Sequence, residues 1–267
     1  MITVVDRPGI QYAVEECVRA GIEDILIITS RGKESLGDHF DRAPELEAQL
    51  AAKGKEEELR TVKALADLAS VHFVRQKEPL GLGHATLMAR DHVGDEPFVM
   101  LLPDEIVPAP QGAEVPLLPK MLEVFAEHQV TVIAVSEVPK EDVGSYGVIE
   151  PEFITDDLCK MLDFVEKPPP GEAPSNLASR GRYVFSPGLF DAIEKTEPGA
   201  GGEIQVTDAI RMRAKEEGAY AYIYGGPIFD VGKKLDFLEA TVELALRRED
   251  LAGPFREFLR GIVDRDA

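Results

Sequence analysis

The sequence predicts an α/β fold built on a mostly parallel, doubly wound sheet, and three observations lead there. Apolar spacing switches between helical and strand period along the chain up to Val135. The runs Ile25–Thr29, Val71–Val74, Phe98–Leu102 and Val130–Val135 are apolar at nearly every position, as strands covered on both faces are. Helical patterns separate these runs, which is the βα alternation of parallel sheets.

Ile10, Val14, Cys17 and Val18 share one helical face, with Asp6 and Pro8 as start signals and Gly21 as the stop. Ile25–Thr29 follows as the first buried strand. Residues 45–70 read as a long polar helix or a helix pair, with Leu59, Val62, Leu65 and Leu68 at helical intervals. A strand over Val71–Val74, a helix over Leu82–Arg90 and a strand over Phe98–Leu102 come next. A helix over Leu117–His128 then leads into the strand Val130–Val135. After Pro139 the texture changes to short strands at Tyr146–Glu150, Met161–Val165 and Arg180–Phe185. A helix over Ile204–Glu217, a strand over Tyr220–Tyr224 and a helix over Lys234–Arg247 complete the pattern. The expected organisation is one α/β domain over residues 1–248 and a helical tail over residues 249–267. In that tail Phe255, Leu259 and Ile262 recur at helical spacing, a face for its own domain or for a partner subunit.

Composition narrows the function. Hydrophobic residues make up 44% of the 267, enough for a sizeable core, and no apolar run reaches the length of a membrane span. The start, Met1 to Arg7, shows neither a basic leader nor a small-residue cleavage site, and Cys17 and Cys159 stand outside any paired metal-ligand spacing, so a reduced cytoplasmic setting is expected. A net charge of −20 argues against nucleic acid as a partner. It also requires any site for anionic substrates to reverse the sign locally with lysines, backbone N–H groups or a metal ion.

Four segments carry candidate chemistry. In Leu101-Leu102-Pro103-Asp104-Glu105, Asp104 lies past the carboxyl end of a buried strand, where open α/β sheets bind ligands. A carboxylate there suits Mg²⁺, which takes oxygen ligands; a solvated acid or helix cap accounts for it equally well. In Gln76 to His84, Gly81 and Gly83 would let a planar base lie against the backbone, and the Gln76 amide offers donors and an acceptor to a pyrimidine edge. Glycine-rich turns between strand and helix also occur without ligands. Glu166 and Lys167 end a strand with a carboxylate for sugar hydroxyls and an ammonium for phosphate, or else form a surface ion pair. Asp230, in Phe229-Asp230-Val231-Gly232-Lys233, offers a second metal ligand opposite Asp104, or makes an ordinary Asp-x-Gly turn. The five histidines form no His-x-His or His-Glu-x-x-His pattern and read as ordinary residues without a catalytic role. Ser145 and Ser175 lack a nucleophile-elbow setting, which points to chemistry without a covalent intermediate.

Taken in order, the segments VVDRPGIQYAVEE, AGIEDILIITSRGK, DHFD, VRQKEPLGLGHA, LLPDEI, SYGVIE, VEKP, PSNLASRGRYVFSP, GGEIQVTDAI and FDVGKK closely resemble the bacterial UTP–glucose-1-phosphate uridylyltransferases, a branch of the sugar-nucleotide pyrophosphorylases, from Val4 almost to Arg248. The resemblance implies a nucleotidyltransferase-type fold and Mg²⁺-dependent conversion of UTP and glucose 1-phosphate to UDP-glucose and diphosphate, by an enzyme that assembles into dimers or tetramers. It implies uracil contacts at Gln76 and Gly81, metal carboxylates at Asp104 and Asp230, sugar contacts at Gly147, Glu166 and Asn176, and a catalytic phosphate-contacting lysine at Lys167. Glucose-1-phosphate thymidylyltransferase and a catalytically silent sugar-nucleotide-binding relative are the alternatives. Family members open with a buried strand and a Gly-x-Gly-Thr-Arg loop that wraps the UTP phosphates. The present sequence starts past that segment, so the expected sheet lacks its first strand. Two explanations are open, an internal methionine taken as the start or a shortened gene product, and the chain as written is expected to have little activity.

Overall fold

The computed structural model describes residues 2–199 and 202–266. A two-stranded arm, β1 (Thr3–Val4) and β2 (Arg7–Pro8), leads into α1 (Gly9–Arg19), which buries Ala13, Val14 and Cys17. Gly21, at φ 83°, turns the chain into β3 (Asp24–Thr29). The helices α2 (Ser35–Phe40), α3 (Pro44–Ala52) and α4 (Glu56–Ala66) then cross over to β4 (Ser70–Arg75), which pairs parallel with β3. The polar stretch around residues 45–70 is thus a helix pair, broken where Gly54 takes φ 64°. The expected helix over Leu82–Arg90 divides into α5 (Leu82–Leu87) and α6 (Arg90–Val93). Next come β5 (Phe98–Leu101), a two-residue strand β6 (Glu105–Ile106), α7 (Leu117–His128) and β7 (Thr131–Glu137). The later half comprises β8 (Gly147–Phe153), β9 (Leu158–Glu166), β10 (Leu177–Phe185), α8 (Gly188–Lys195), α9 (Val206–Glu217), β11 (Ala219–Ile223), β12 (Phe229–Asp230), α10 (Lys234–Leu246) and α11 (Glu249–Asp266).

The main sheet has six strands in the order β5-β10-β7-β11-β9-β8. The α/β class stands, but strand directions are mixed: among the described residues β7–β11 and β3–β4 pair in parallel, and the other neighbours run antiparallel. The reason lies after Glu137, where the helical crossovers that parallel pairing requires give way to short connections such as the one joining β8 to β9. The wholly buried Val132, Ile133, Ala134 and Val135 of β7 explain its uninterrupted apolar run. Val132 and Ala134 pack with Leu117, Met121 and Phe125 of α7 on one face, while Ile133 and Val135 pack with Leu189 and Ile193 of α8 and Ala209 and Ile210 of α9 on the other.

Among the described residues β3 pairs with β4 alone and β5 with β10 alone. Both strands line an apolar cleft of about 540 Å³, walled also by Ile10, Val14 and Cys17 of α1 and by Leu82, Ala85 and Val93. At the tail, α11 packs on α10 and half-buries Phe255, Leu259 and Ile262, while Phe258 and Val263 stay exposed.

Arg182 of β10 is 1% exposed and meets Glu16 of α1 at 2.8 Å, and its other terminal nitrogen donates to the Leu102 carbonyl at 3.1 Å. Removing one partner of such a pair leaves an unpaired buried charge. Glu16→Ala is therefore expected to destabilise the protein by about 3–5 kcal/mol, read as a lowered midpoint in urea unfolding; a midpoint equal to the parent's would show the pair to be dispensable.

Candidate functional site

The site begins where β5 ends. Leu102 donates its N–H to the Gly181 carbonyl at 2.8 Å, and Pro103 turns the chain so that Asp104 precedes β6. Strand β12 pairs antiparallel with β6, setting Asp230 opposite Glu105, and Val231 N–H donates to the Asp104 carbonyl at 2.8 Å. Two short pieces more than a hundred residues apart thus form one arm, with Asp230 on β12 and Asp104 immediately before β6. The Asp230 Oδ1 accepts the Gly232 N–H at 3.0 Å, and Lys233 Nζ lies 3.9 Å from Oδ2.

Next to Asp104 in the chain and opposite Asp230 sits Glu105, buried, with Arg180 Nε 3.4 Å from its Oε1. Burial pushes its carboxyl up to about 7, against the pull of Arg180 and Arg182 and with the help of Asp104 and Asp230. Gly181, at φ 57°, sits at a register break in β10, and a Cβ there would lie 3.0 Å from both Glu105 Oε2 and Leu102 Cβ. Tyr146 joins this arm to the next group. Its hydroxyl accepts a hydrogen bond from Lys233, whose ammonium lies 4.6 Å from the ring centre, and Arg180 covers the ring at 5.4 Å. Burial pulls the Lys233 pKa down, but the Tyr146 hydroxyl, Asp230 and Asp236 together raise it above the ordinary lysine value.

The Tyr146 carbonyl accepts the Lys167 N–H at 2.9 Å, holding Lys167 at φ 45°, an uncommon conformation for a side-chain-bearing residue. Gly147 pairs with Glu166 across β8 and β9. A Cβ on Gly147 would strike the Phe164 ring at 2.6 and 2.8 Å and approach Glu166 Oε2 at 3.3 Å, so glycine is required there by space. Thr207 Oγ1 donates to Glu166 Oε2 at 2.6 Å, and Lys167 Nζ lies 3.7 Å from Oε1. Asn176, just before β10, accepts the Val138 N–H on its carbonyl at 3.0 Å.

The glycine-rich turn forms a third group. Gln76 N–H donates to Thr29 O at 2.8 Å, and its Nε2 lies 3.2 Å from the Gly81 carbonyl and 2.9 Å from His84 Nδ1. Gly81 adopts φ 100°, and a Cβ on it would meet the Ile204 carbonyl at 2.8 Å. Gly83 N–H donates to that carbonyl and Ile204 N–H to Leu80 O, each at 2.8 Å. Because Ile204 lies three residues before Thr207, the segment from Gly202 onward ties the Gln76–Gly81 turn to Glu166; Gly201 lies outside the described residues.

Asp104 and Asp230 are therefore brought together, as are Gly147, Glu166 and Lys167, and Gln76 with Gly81. Among the described residues no hydrogen bond joins Asn176 to Gly147, Glu166 or Lys167. A polar cleft of about 710 Å³ beside the acidic arm is lined by Tyr146, Arg180 and Lys233, together with residues 136–139 and 223–228. Sequence reading assigned no role to Glu105, Tyr146, Arg180, Arg182, Thr207 or Lys233. The position of Tyr146 next to Gly147, and of Lys233 in the Asp230 segment, was the available signal.

A nucleotidyl transferase family model matches residues 1–246. The UTP–glucose-1-phosphate uridylyltransferase of Bacillus subtilis strain 168 is 45% identical over 266 residues, covering 100% of this chain and 90% of the relative. A solved UTP-bound UGPase of Acinetobacter baumannii superposes with a TM-score of 0.88 at 38% identity, over 97% of this chain and 90% of that one. A Bacillus anthracis structure assigned as a glucose-1-phosphate thymidylyltransferase shares the fold at a TM-score of 0.64 and 22% identity, over 91% of this chain and 85% of its own. The chain belongs to the nucleotidyl transferase family, in the branch of the UTP–glucose-1-phosphate uridylyltransferases.

Gly147→Ala is expected to force Phe164 and Glu166 aside, with an overpacking cost of about 1–3 kcal/mol. Thermal unfolding together with a crystal structure of the variant checks this, and an undisturbed Glu166–Thr207 bond would show the close approach to be unnecessary.

Proposed function

We propose that the reaction this site serves is uridylyl transfer from UTP to α-D-glucose 1-phosphate, releasing UDP-glucose and diphosphate. Family membership supports the substrates, and the reading is carried by the β6–β12 arm past the end of β5, where Asp230 lies opposite Glu105 and the Val231 N–H holds the Asp104 carbonyl. A phosphate oxygen of glucose 1-phosphate attacks the α-phosphorus of UTP in line, and the bond to diphosphate breaks on the far side. Two anions must meet on a chain of net charge −20, so positioning and charge neutralisation supply most of the rate.

Asp104 and Asp230 would hold Mg²⁺. Carboxylate oxygens are the donors a hard cation prefers, and the Gly232 N–H fixes one Asp230 oxygen while leaving the other available. When bound, the ion neutralises phosphate charge and orients the leaving diphosphate. Lys167 meets the sugar phosphate with its exposed ammonium. Glu166, oriented by Thr207, accepts hydrogen bonds from sugar hydroxyls, with Gly147 leaving room beside it and Asn176 adding an amide. The Gly81 backbone takes the face of the uracil ring, and the Gln76 amide, steadied by His84, reads its edge. Assembly into dimers or tetramers and a cytoplasmic setting belong to the same proposal; among the described residues no helix is long and apolar enough to cross a membrane.

Asp104→Asn is expected to lower turnover about 100-fold or more, the loss of a few kcal/mol of charge stabilisation, with an unchanged melting curve. Diphosphate release in the presence of Mg²⁺ measures it, and parent-like turnover would remove Asp104 from the mechanism. With glucose 1-phosphate held constant, kcat/KM for UTP is expected to exceed that for dTTP; the reverse order would place the chain with the thymidylyltransferases.

A further inference from the structure

The candidate site uses none of the residues at the opposite end of β3 and β4. There Asp24 opens β3, and the parallel register sets it against Ser70 and sets Leu26 against His72. Alternation along the strands therefore puts Asp24 and His72 on one face, one pleat apart. Helix α6 brings His92 to the same place. His92 Nε2 lies 3.0 Å and His72 Nε2 3.6 Å from the same oxygen, Asp24 Oδ1. The two imidazole rings tilt toward each other with centroids 5.0 Å apart. One ligand atom from each of the three residues falls within 4.8 Å of the others.

We propose that Asp24, His72 and His92 bind a divalent transition-metal ion of the zinc type. Bonds of about 2.0–2.2 Å to nitrogen and oxygen in tetrahedral geometry place ligand atoms about 3.3 Å apart, and the two measured separations bracket that spacing. Two imidazoles and one carboxylate form a donor set that favours zinc and its neighbours over Mg²⁺ or Ca²⁺. The side chains are 51%, 68% and 29% exposed for His72, Asp24 and His92, so an ion can enter and water can complete the shell. Ser70 Oγ lies 3.2 Å from the same His72 nitrogen, and metal binding replaces that hydrogen bond.

The location gives the ion a structural task. Asp24 and His92 both line the apolar cleft between β3 and β5. A metal held by β3, β4 and α6 ties these three elements together. Its ligands come from three elements, at residues 24, 72 and 92, so binding favours the folded arrangement over the unfolded chain.

Calorimetric titration of the whole chain with Zn²⁺, stripped of metal beforehand, tests this. One ion per chain is expected, with a rise in melting temperature on saturation. His72→Ala and His92→Ala should each weaken binding at least tenfold and abolish the thermal shift, while His128→Ala, which alters a ring stacked on Tyr220, should change neither. Melting curves without metal establish that the variants are folded. X-ray absorption of the loaded parent should report two imidazole ligands. The proposal is overturned if the parent takes up no zinc, if the His72→Ala/His92→Ala double variant binds it as tightly as the parent, or if His128→Ala weakens binding equally.

Discussion

The arrangement depends on one buried charge. Arg182 is enclosed between α1 and the main sheet, and its guanidinium is satisfied by Glu16 and by the Leu102 carbonyl. A guanidinium so enclosed is tolerable only when its donors are occupied, so α1, β10 and the end of β5 must stand where they do. Leu102 is two residues before Asp104. The same interaction that closes the helix onto the sheet therefore sets the point from which the acidic arm departs. Next to it, Gly181 supplies the register break that gives Arg180 and Arg182 different partners, Glu105 for one and Glu16 for the other.

This arrangement answers the electrostatic difficulty posed by a chain of net charge −20. Cations are concentrated around the arm: Arg180 and Arg182 beneath it, Lys233 against Tyr146, and Lys167 beyond the Tyr146 carbonyl. Burial raises the proton affinity of Glu105, so part of the local negative charge is suppressed. The exposed carboxylates of the helices spread the remaining acidity over the surface, where solvent screens it. Cations set among the acids of the site lessen the local repulsion that attack of one phosphate on another must overcome.

Tyr146 and Ile204 act as couplings between the three groups of candidate residues. Tyr146 links the acidic arm to Lys167 through its hydroxyl and its carbonyl. Ile204 grips the glycine turn through backbone hydrogen bonds, and Thr207 on the same segment orients Glu166. A displacement of any one of these segments would be felt at the others, because packed interiors transmit strain with little slack.

Much of this was legible in the residues themselves. Continuous apolar runs announced β3, β4, β5 and β7, but only β7 is covered on both faces along most of its length; β3 and β5 are partly buried and His72 and Phe73 of β4 are exposed. The glycines at 81 and 147 and the acids at 104, 166 and 230 stood out through short motifs whose order identified the family. Local periodicity could not reveal strands of two residues such as β6 and β12, whose pairing joins Glu105 to Asp230. Nor could it place Arg182 against Glu16, Thr207 against Glu166, or His72 and His92 around Asp24. Composition and pattern determined which elements form and which chemistry is on hand, since both follow from a few neighbouring residues. Which side chains meet was decided only by the tertiary structure, because contacts between distant segments arise from strand register, from the bulge at Gly181 and from the need to satisfy every buried charge.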